Sequence, residues 1–192
     1  MSILDKAAGP PVSKDELVKA LTAMGPTFQS LLDSDVFDAR TKSIIELLGK
    51  GLSLADIFEI PADQRHRLLA KGAGMAAAGD LAGAAKIIEL VTMLEPLDEK
   101  ALLALGTILS LQGRYEQAVG ALLRCLALDA LNAEAYLRLG ECLMKAGEAD
   151  KAAEAFTLAG IHASGPSGEA TAARAAELAR LCARSATAAS AN

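Results

Sequence analysis

Three cysteines, two histidines and one glycine-rich run are the residues whose types could carry covalent, metal or phosphate chemistry. Cys125, Cys142 and Cys182 lack the close spacing by which paired thiolates hold zinc. His66 and His162 stand alone and far apart. A nucleophilic thiol at Cys142 or Cys182 would need a His or Lys beside it to take the proton. The sequence offers no such pair, no carboxylate dyad and no phosphate loop. Lys71-Gly72-Ala73-Gly74 has no strand before it, so it is not a dinucleotide fingerprint. The expectation is a protein that is not an enzyme and holds no metal or cofactor. Cys125 occupies a place where Val91 and Ala159 stand in neighbouring units, and reads as a small core hydrophobe.

The spacing that does carry information is longer. Gly72, Gly106 and Gly140 recur every 34 residues, and so do Gly79, Gly113 and Gly147. Ala84, Ala118 and Ala152 follow the same step. Large apolar residues repeat with them: Leu68, Leu102 and Tyr136; Met75, Leu109 and Leu143; Ile88, Leu122 and Phe156. This order of large and small residues is the signature of the tetratricopeptide repeat, two antiparallel helices per unit. The predicted fold is all-α: a helical solenoid of three repeats with N-terminal helices and a C-terminal capping helix. Gly79, Gly113 and Gly147 fall where each first helix must stop. Gly72, Gly106 and Gly140 lie inside first helices, where glycine costs about 1 kcal/mol against alanine. Close helix approach is the reason to keep them, with Ala84, Ala118 and Ala152 the expected receiving surface.

Composition agrees and excludes other classes. The chain has 192 residues, 52% of them hydrophobic and only 3% aromatic, so its core is built from many small contacts. A net charge of −5 argues against nucleic acid, which needs a basic face. No run of roughly 18–20 apolar residues reads as a membrane span. The start, MSILDKAAGPP, does not read as a secretory leader, and three cysteines without one suggest reduced thiols and a cytosolic protein.

Residues 1–12 are expected to be disordered, and 13–64 to form an N-terminal helical segment. Ser13 with Glu16 makes a capping box, Gly25-Pro26 ends that helix, and Ile44, Ile45, Leu47 and Leu48 give a second helix its apolar face before Gly49-Lys50-Gly51. Ser53 caps a short run, and Asp63 is the expected cap of the first repeat helix. The repeats are placed at 65–98, 99–132 and 133–166. Gly165-Pro166-Ser167-Gly168 reads as a firm break, 167–184 as the capping helix, and 185–192 as a disordered tail.

In stacked helix pairs the first helices line the inner wall. Repeat positions 5, 9 and 12 are predicted to point into it: Leu69, Ala73 and Ala76; Leu103, Thr107 and Ser110; Leu137, Glu141 and Met144. Such a wall suits an extended peptide with apolar anchors.

The stretch from Gly49 to Ile161 resembles the class II, tetratricopeptide-repeat translocator chaperones of bacterial type III secretion. The resemblance rests on GKGLSLADIFEI, on QRHRLLAKGAGMAAAGDLAGAAKIIELVTMLEPLD directly after it, and on LALGTILSLQGRYEQAV and LRLGECLMKAGEADKAAEAF in the later repeats. It implies a bacterial cytoplasmic chaperone that keeps secreted translocator proteins soluble before export, without stable membrane insertion. A client segment of the Pro-x-Leu-x-x-Pro kind would lie in the groove, and a homodimer would form through the N-terminal segment, with 28–58 the candidate interface. Several of the family's groove residues are aromatic, whereas Ala73 and Ala76 here imply a shallower pocket or bulkier anchors. The alternative is a general tetratricopeptide scaffold joining folded partners.

Overall fold

The computed structural model describes residues 38–190. The expectations for 1–37, including the Ser13–Glu16 capping box, lie outside the described residues. Among those described, the regular elements are helices: α1 (Ala39–Gly49), α2 (Leu54–Ile57), α3 (Ala62–Ala77), α4 (Leu81–Leu94), α5 (Glu99–Leu111), α6 (Tyr115–Leu128), α7 (Ala133–Lys145), α8 (Ala149–His162) and α9 (Gly165–Ser190).

Local chemistry sets the helix starts. Asp38 accepts from the Thr41 N–H at 2.7 Å to open α1. Ser53 and Asp56 cap α2 reciprocally in a capping box. Asp98 accepts from Ala101 N at 3.0 Å and Asn132 from Ala135 N at 2.9 Å, so two repeats begin on side-chain caps. Asp63 is not the cap of α3: Pro61 holds that position in an extended conformation, with no side-chain cap bond. Proline's fixed φ leads straight into the helix, and Asp63 falls in the first turn, paired with Arg67 at 2.6 Å.

Gly79, Gly113 and Gly147 end the first helices with φ of +90°, +75° and +84°, a conformation that residues with a Cβ resist. The glycines inside those helices are there for a different reason. A Cβ on Gly72 would lie 2.5 Å from Ile88 Cδ1, one on Gly106 2.6 Å from Leu122 Cγ, and one on Gly140 2.5 Å from Phe156 Cε1. The expected receiving alanines are therefore replaced in that role by the large residue one turn further along each second helix. Ala84, Ala118 and Ala152 are fully buried beside them. The helices approach closely enough to bury Ile88, Leu122 and Phe156 against bare backbone.

The pairs α3–α4, α5–α6 and α7–α8 stack in order, α4 on α5 and α6 on α7. Polar links tie the stack: Gln112 Nε2 donates to Leu81 O at 2.8 Å, and Asn132 Nδ2 to Glu99 Oε1 at 2.6 Å. First helices also touch one another, α3 with α5, α5 with α7 and α7 with α9, while second helices make no contact of comparable extent. The stack is thus tighter on the first-helix side, which makes that side the inner wall of its curve.

The C-terminal part differs from expectation in two ways. The break is shorter than Gly165–Gly168: Gly165, at φ +71°, already begins α9. Pro166 lies in the first turn, where its missing N–H costs nothing. The helix also continues past Arg184 to Ser190, over residues predicted as a tail, because the alanine-rich sequence lacks a stop. Ala175, Leu178 and Cys182 bury one stripe of α9, which packs on α8 and α7.

No disulfide joins the three cysteines, and all are buried. Burial, then Glu99 and Asp129, push the Cys125 thiol up to about 11. The fold therefore favours the protonated form, and this contribution is complete below about pH 9 and lost as pH rises through about 11. The expected loss between those limits is on the order of 1–2 kcal/mol. Urea unfolding at pH 8 and 10.5 measures it, and Cys125→Val should flatten the difference.

Candidate peptide-binding groove

The inner wall is what remains of each first helix after its neighbours are accounted for. On α5, Ala101, Leu102, Leu105, Gly106, Ile108 and Leu109 are buried; on α7, Ala135, Leu137, Leu139, Gly140, Cys142 and Leu143. At 3.6 residues per turn, repeat positions 2, 6, 9 and 13 fall together on the opposite side. They are His66, Ala70, Ala73 and Ala77 on α3, all exposed. On α5 they are Lys100, Ala104, Thr107 and Leu111, and on α7 Glu134, Arg138, Glu141 and Lys145, exposed or half-buried.

Of the nine residues predicted for the groove, the structure places Ala73, Thr107 and Glu141 in the middle of this open face. The others, at positions 5 and 12, lie toward the seam with the following first helix. Ser110 shows the direction, since its hydroxyl hydrogen-bonds the Cys142 sulfur of the next repeat. Leu103, seven residues earlier, shares that side of α5 and packs against the core. Leu69, Ala76 and Met144 do likewise, and Leu137 is only 5% exposed. The 34-residue period identifies which side of a helix is apolar. It does not show that the next first helix closes over positions 5 and 12. Positions 2 and 6, polar or small at every 34-residue step, share the open face with position 9, and so does position 13, where Leu111 is exposed. A charge at Leu103 would strike stability and binding together, so Thr107 is the cleaner probe.

The wall changes along the solenoid, from small apolar residues on α3 to an ionic ladder on α7. Arg138 binds Glu134 through Nη2 at 2.7 Å and Glu141 through Nη1 at 3.0 Å. Burial pulls the guanidinium pKa down, but the Glu134 and Glu141 carboxylates outweigh it and the net shift is upward. Arg138 Nε is covered by protein and has no acceptor there. The same surroundings act on Cys142, whose thiol is raised chiefly by burial, against the Ser110 hydrogen bond. Among the described residues no His, Cys, Asp and Glu are grouped to hold a metal ion, and no helix is long and apolar enough to cross a membrane.

Helix pairs at a 34-residue step, closed by left-handed glycines and presenting an open first-helix wall, define a tetratricopeptide-repeat solenoid. The tetratricopeptide repeat family model matches residues 109–184. Comparison with curated sequences finds no match. Among solved structures, PcrH in complex with the chaperone binding region of PopB is 30% identical, with a TM-score of 0.60 over 62% of this chain and 97% of that one. PcrH from Pseudomonas aeruginosa is 29% identical, with a TM-score of 0.62 over 65% and 95%. A type III secretion complex from Aeromonas hydrophila has the same fold, with a TM-score of 0.71 over 76% and 97% at 23% identity. The chain belongs to the tetratricopeptide-repeat translocator chaperones of type III secretion.

Proposed function

We propose that this chain keeps a hydrophobic translocator protein soluble in the bacterial cytoplasm before export, by holding an extended client segment along the wall of α3, α5 and α7. The supporting observation is that open wall, on a chain 30% identical to PcrH bound to the chaperone binding region of PopB. It favours this reading over a general scaffold between folded partners. The mechanism is binding, not turnover. A preformed groove that takes an unfolded segment lowers the free concentration of an aggregation-prone client. Ala70, Ala73 and Ala77 leave room for a bulky anchor, while Thr107 and the α7 ladder offer polar contacts further along. The N-terminal segment is the surface for pairing two copies, since α1, α2 and their flanks leave Leu48, Leu52 and Phe58 exposed.

The test is co-expression with the translocator proteins encoded beside this chain. A neighbour that is insoluble alone should become soluble and co-purify. Recovery of only folded, independently soluble partners would return the chain to the scaffold reading.

A further inference from the structure

The second repeat departs from the other two at three positions, and all three departures line one cleft on the outer side of the solenoid. The cleft, of about 650 Å3, lies between α4 and α6, where the second helices splay apart over α5. Leu105 and Leu109 are its floor.

The first departure is Gly120 in the middle of α6. The other second helices carry long charged side chains there, Lys86 and Glu154. Unlike Gly106, Gly120 has no packing reason: a Cβ there would meet nothing within 4 Å. Its cost of about 1 kcal/mol in helix propensity is not returned by the fold. Its effect is to leave the cleft open.

The second departure is Arg114, at the N-cap of α6. The matching residues are Asp80 and Glu148. Asp80 caps its helix through Gly83 N at 2.8 Å, while neither Glu148 nor Arg114 makes a side-chain cap bond; Arg114 alone sets a positive charge at a positive helix end. Its guanidinium is instead held in place by Gln117, by Gln112 at 3.0 Å and by Glu89 at 3.8 Å. The third departure is Arg124, where Leu90 and Leu158 stand in the other repeats. Among the described residues it makes no ion pair, and its side chain donates one long hydrogen bond to Pro96 O at 3.4 Å. Two arginines against the single carboxylate of Glu89 make the rim basic, on a chain whose net charge is −5.

A glycine with no packing reason, a reversed charge at Arg114 and an arginine in place of leucine at Arg124, gathered on one cleft, mark a place kept for a ligand. We propose that this outer cleft is a second docking site. Its occupant is a partner-protein segment that sets an apolar side chain on Leu105 and Leu109 and an adjacent Asp or Glu carboxylate against Arg124 and Arg114. The fit is one of charge and shape: the planar guanidinium of Arg124, with a single long hydrogen bond, suits a carboxylate, Arg114 adds positive charge beside it, and the glycine gap admits the neighbouring side chain. The cleft faces away from the wall of α3, α5 and α7, so a client in the groove leaves it open. The inference rests on the groove reading only for that independence.

The test uses the full chain and two fluorescein-labelled twelve-residue peptides, identical except that two leucines are flanked by glutamates in one and by lysines in the other. Anisotropy should show the glutamate peptide binding on the order of tenfold more tightly, as expected for hydrogen bonds to a charged group. Arg124→Gln and Gly120→Leu should each remove that preference with helicity unchanged by circular dichroism. The groove variant Thr107→Arg should retain it. Equal binding of the two peptides, or binding of neither, overturns the proposal. Loss of the preference in Thr107→Arg would assign the peptide to the groove and overturn it too. Failure of Thr107→Arg to weaken translocator binding would count against the groove reading and leave the cleft result standing.

Discussion

Gly106→Leu lowers the melting temperature by about 6–12 °C. A Cβ at residue 106 would lie 2.6 Å from Leu122 Cγ, 2.8 Å from its Cδ2 and 3.3 Å from the Ala118 carbonyl oxygen. Leu122 is fully buried and has nowhere to turn, and the Ala118 oxygen is backbone. Helices α5 and α6 must separate to admit the new side chain. Overpacking of this kind costs about 1–3 kcal/mol, here at the upper end because backbone is involved. For a chain of this size each kcal/mol corresponds to about 2–4 °C. Gly120→Ala is the internal control. It adds a methyl group to open space in α6 and should raise stability by about 0.4–1 kcal/mol through the unfolded chain's lost entropy. Thermal unfolding followed at 222 nm decides both. Equal melting points for wild type and Gly106→Leu would mean that the helix pairs are less tightly closed than described.

Thr107→Arg weakens client binding roughly tenfold to a hundredfold and leaves the fold intact. Thr107 is at the middle of the open wall, on the central first helix, with its hydroxyl donating only to Leu103 O of its own helix at 2.9 Å. Arginine is a better helix former than threonine, so the fold loses nothing of consequence. Its side chain would extend across the path of a client held against α3, α5 and α7. Displacing even one apolar anchor of about 50–100 Å2 at about 25 cal/mol per Å2 weakens binding by about 1–3 kcal/mol, or roughly tenfold to a hundredfold. Added charge repels a second apolar group as well. The readouts are the amount of translocator recovered with the chain after co-expression and the melting temperature of the chain alone. Undiminished recovery would place the client elsewhere than the first-helix wall. A large fall in melting temperature would show that Thr107 is structural.

Much of this architecture was legible because a solenoid is nearly one-dimensional. Each repeat meets only its neighbours, so the positions of Gly79, Gly113 and Gly147, the paired helices between them and the burial of Ile88, Leu122 and Phe156 all follow from a local pattern repeated at a fixed step. The errors fall where the pattern stops. Side-chain oxygens usually cap helices, which points to Asp63 at α3, but Pro61 with its fixed φ holds the position. The break at Gly165–Gly168 is shorter than its composition suggests, because proline stops a helix when it is interior but opens one when it is at the start.

The groove shows the division most clearly. From the amino-acid order alone come the repeat, the all-helical class, the absence of catalytic spacing and the expectation that first helices line the inner wall. Helical periodicity specifies the angle of each side chain about its own axis. Only the stacked structure decided which of those angles stays open: Leu137 and Ser110 turn toward the following repeat, while Arg138 and Glu134 are left on the wall. The outer cleft, too, needed the splay of α4 from α6 before Arg114, Gly120 and Arg124 could be seen as one place. The angle between neighbouring helices is set by how whole side chains interlock across two repeats, a property that no single position carries.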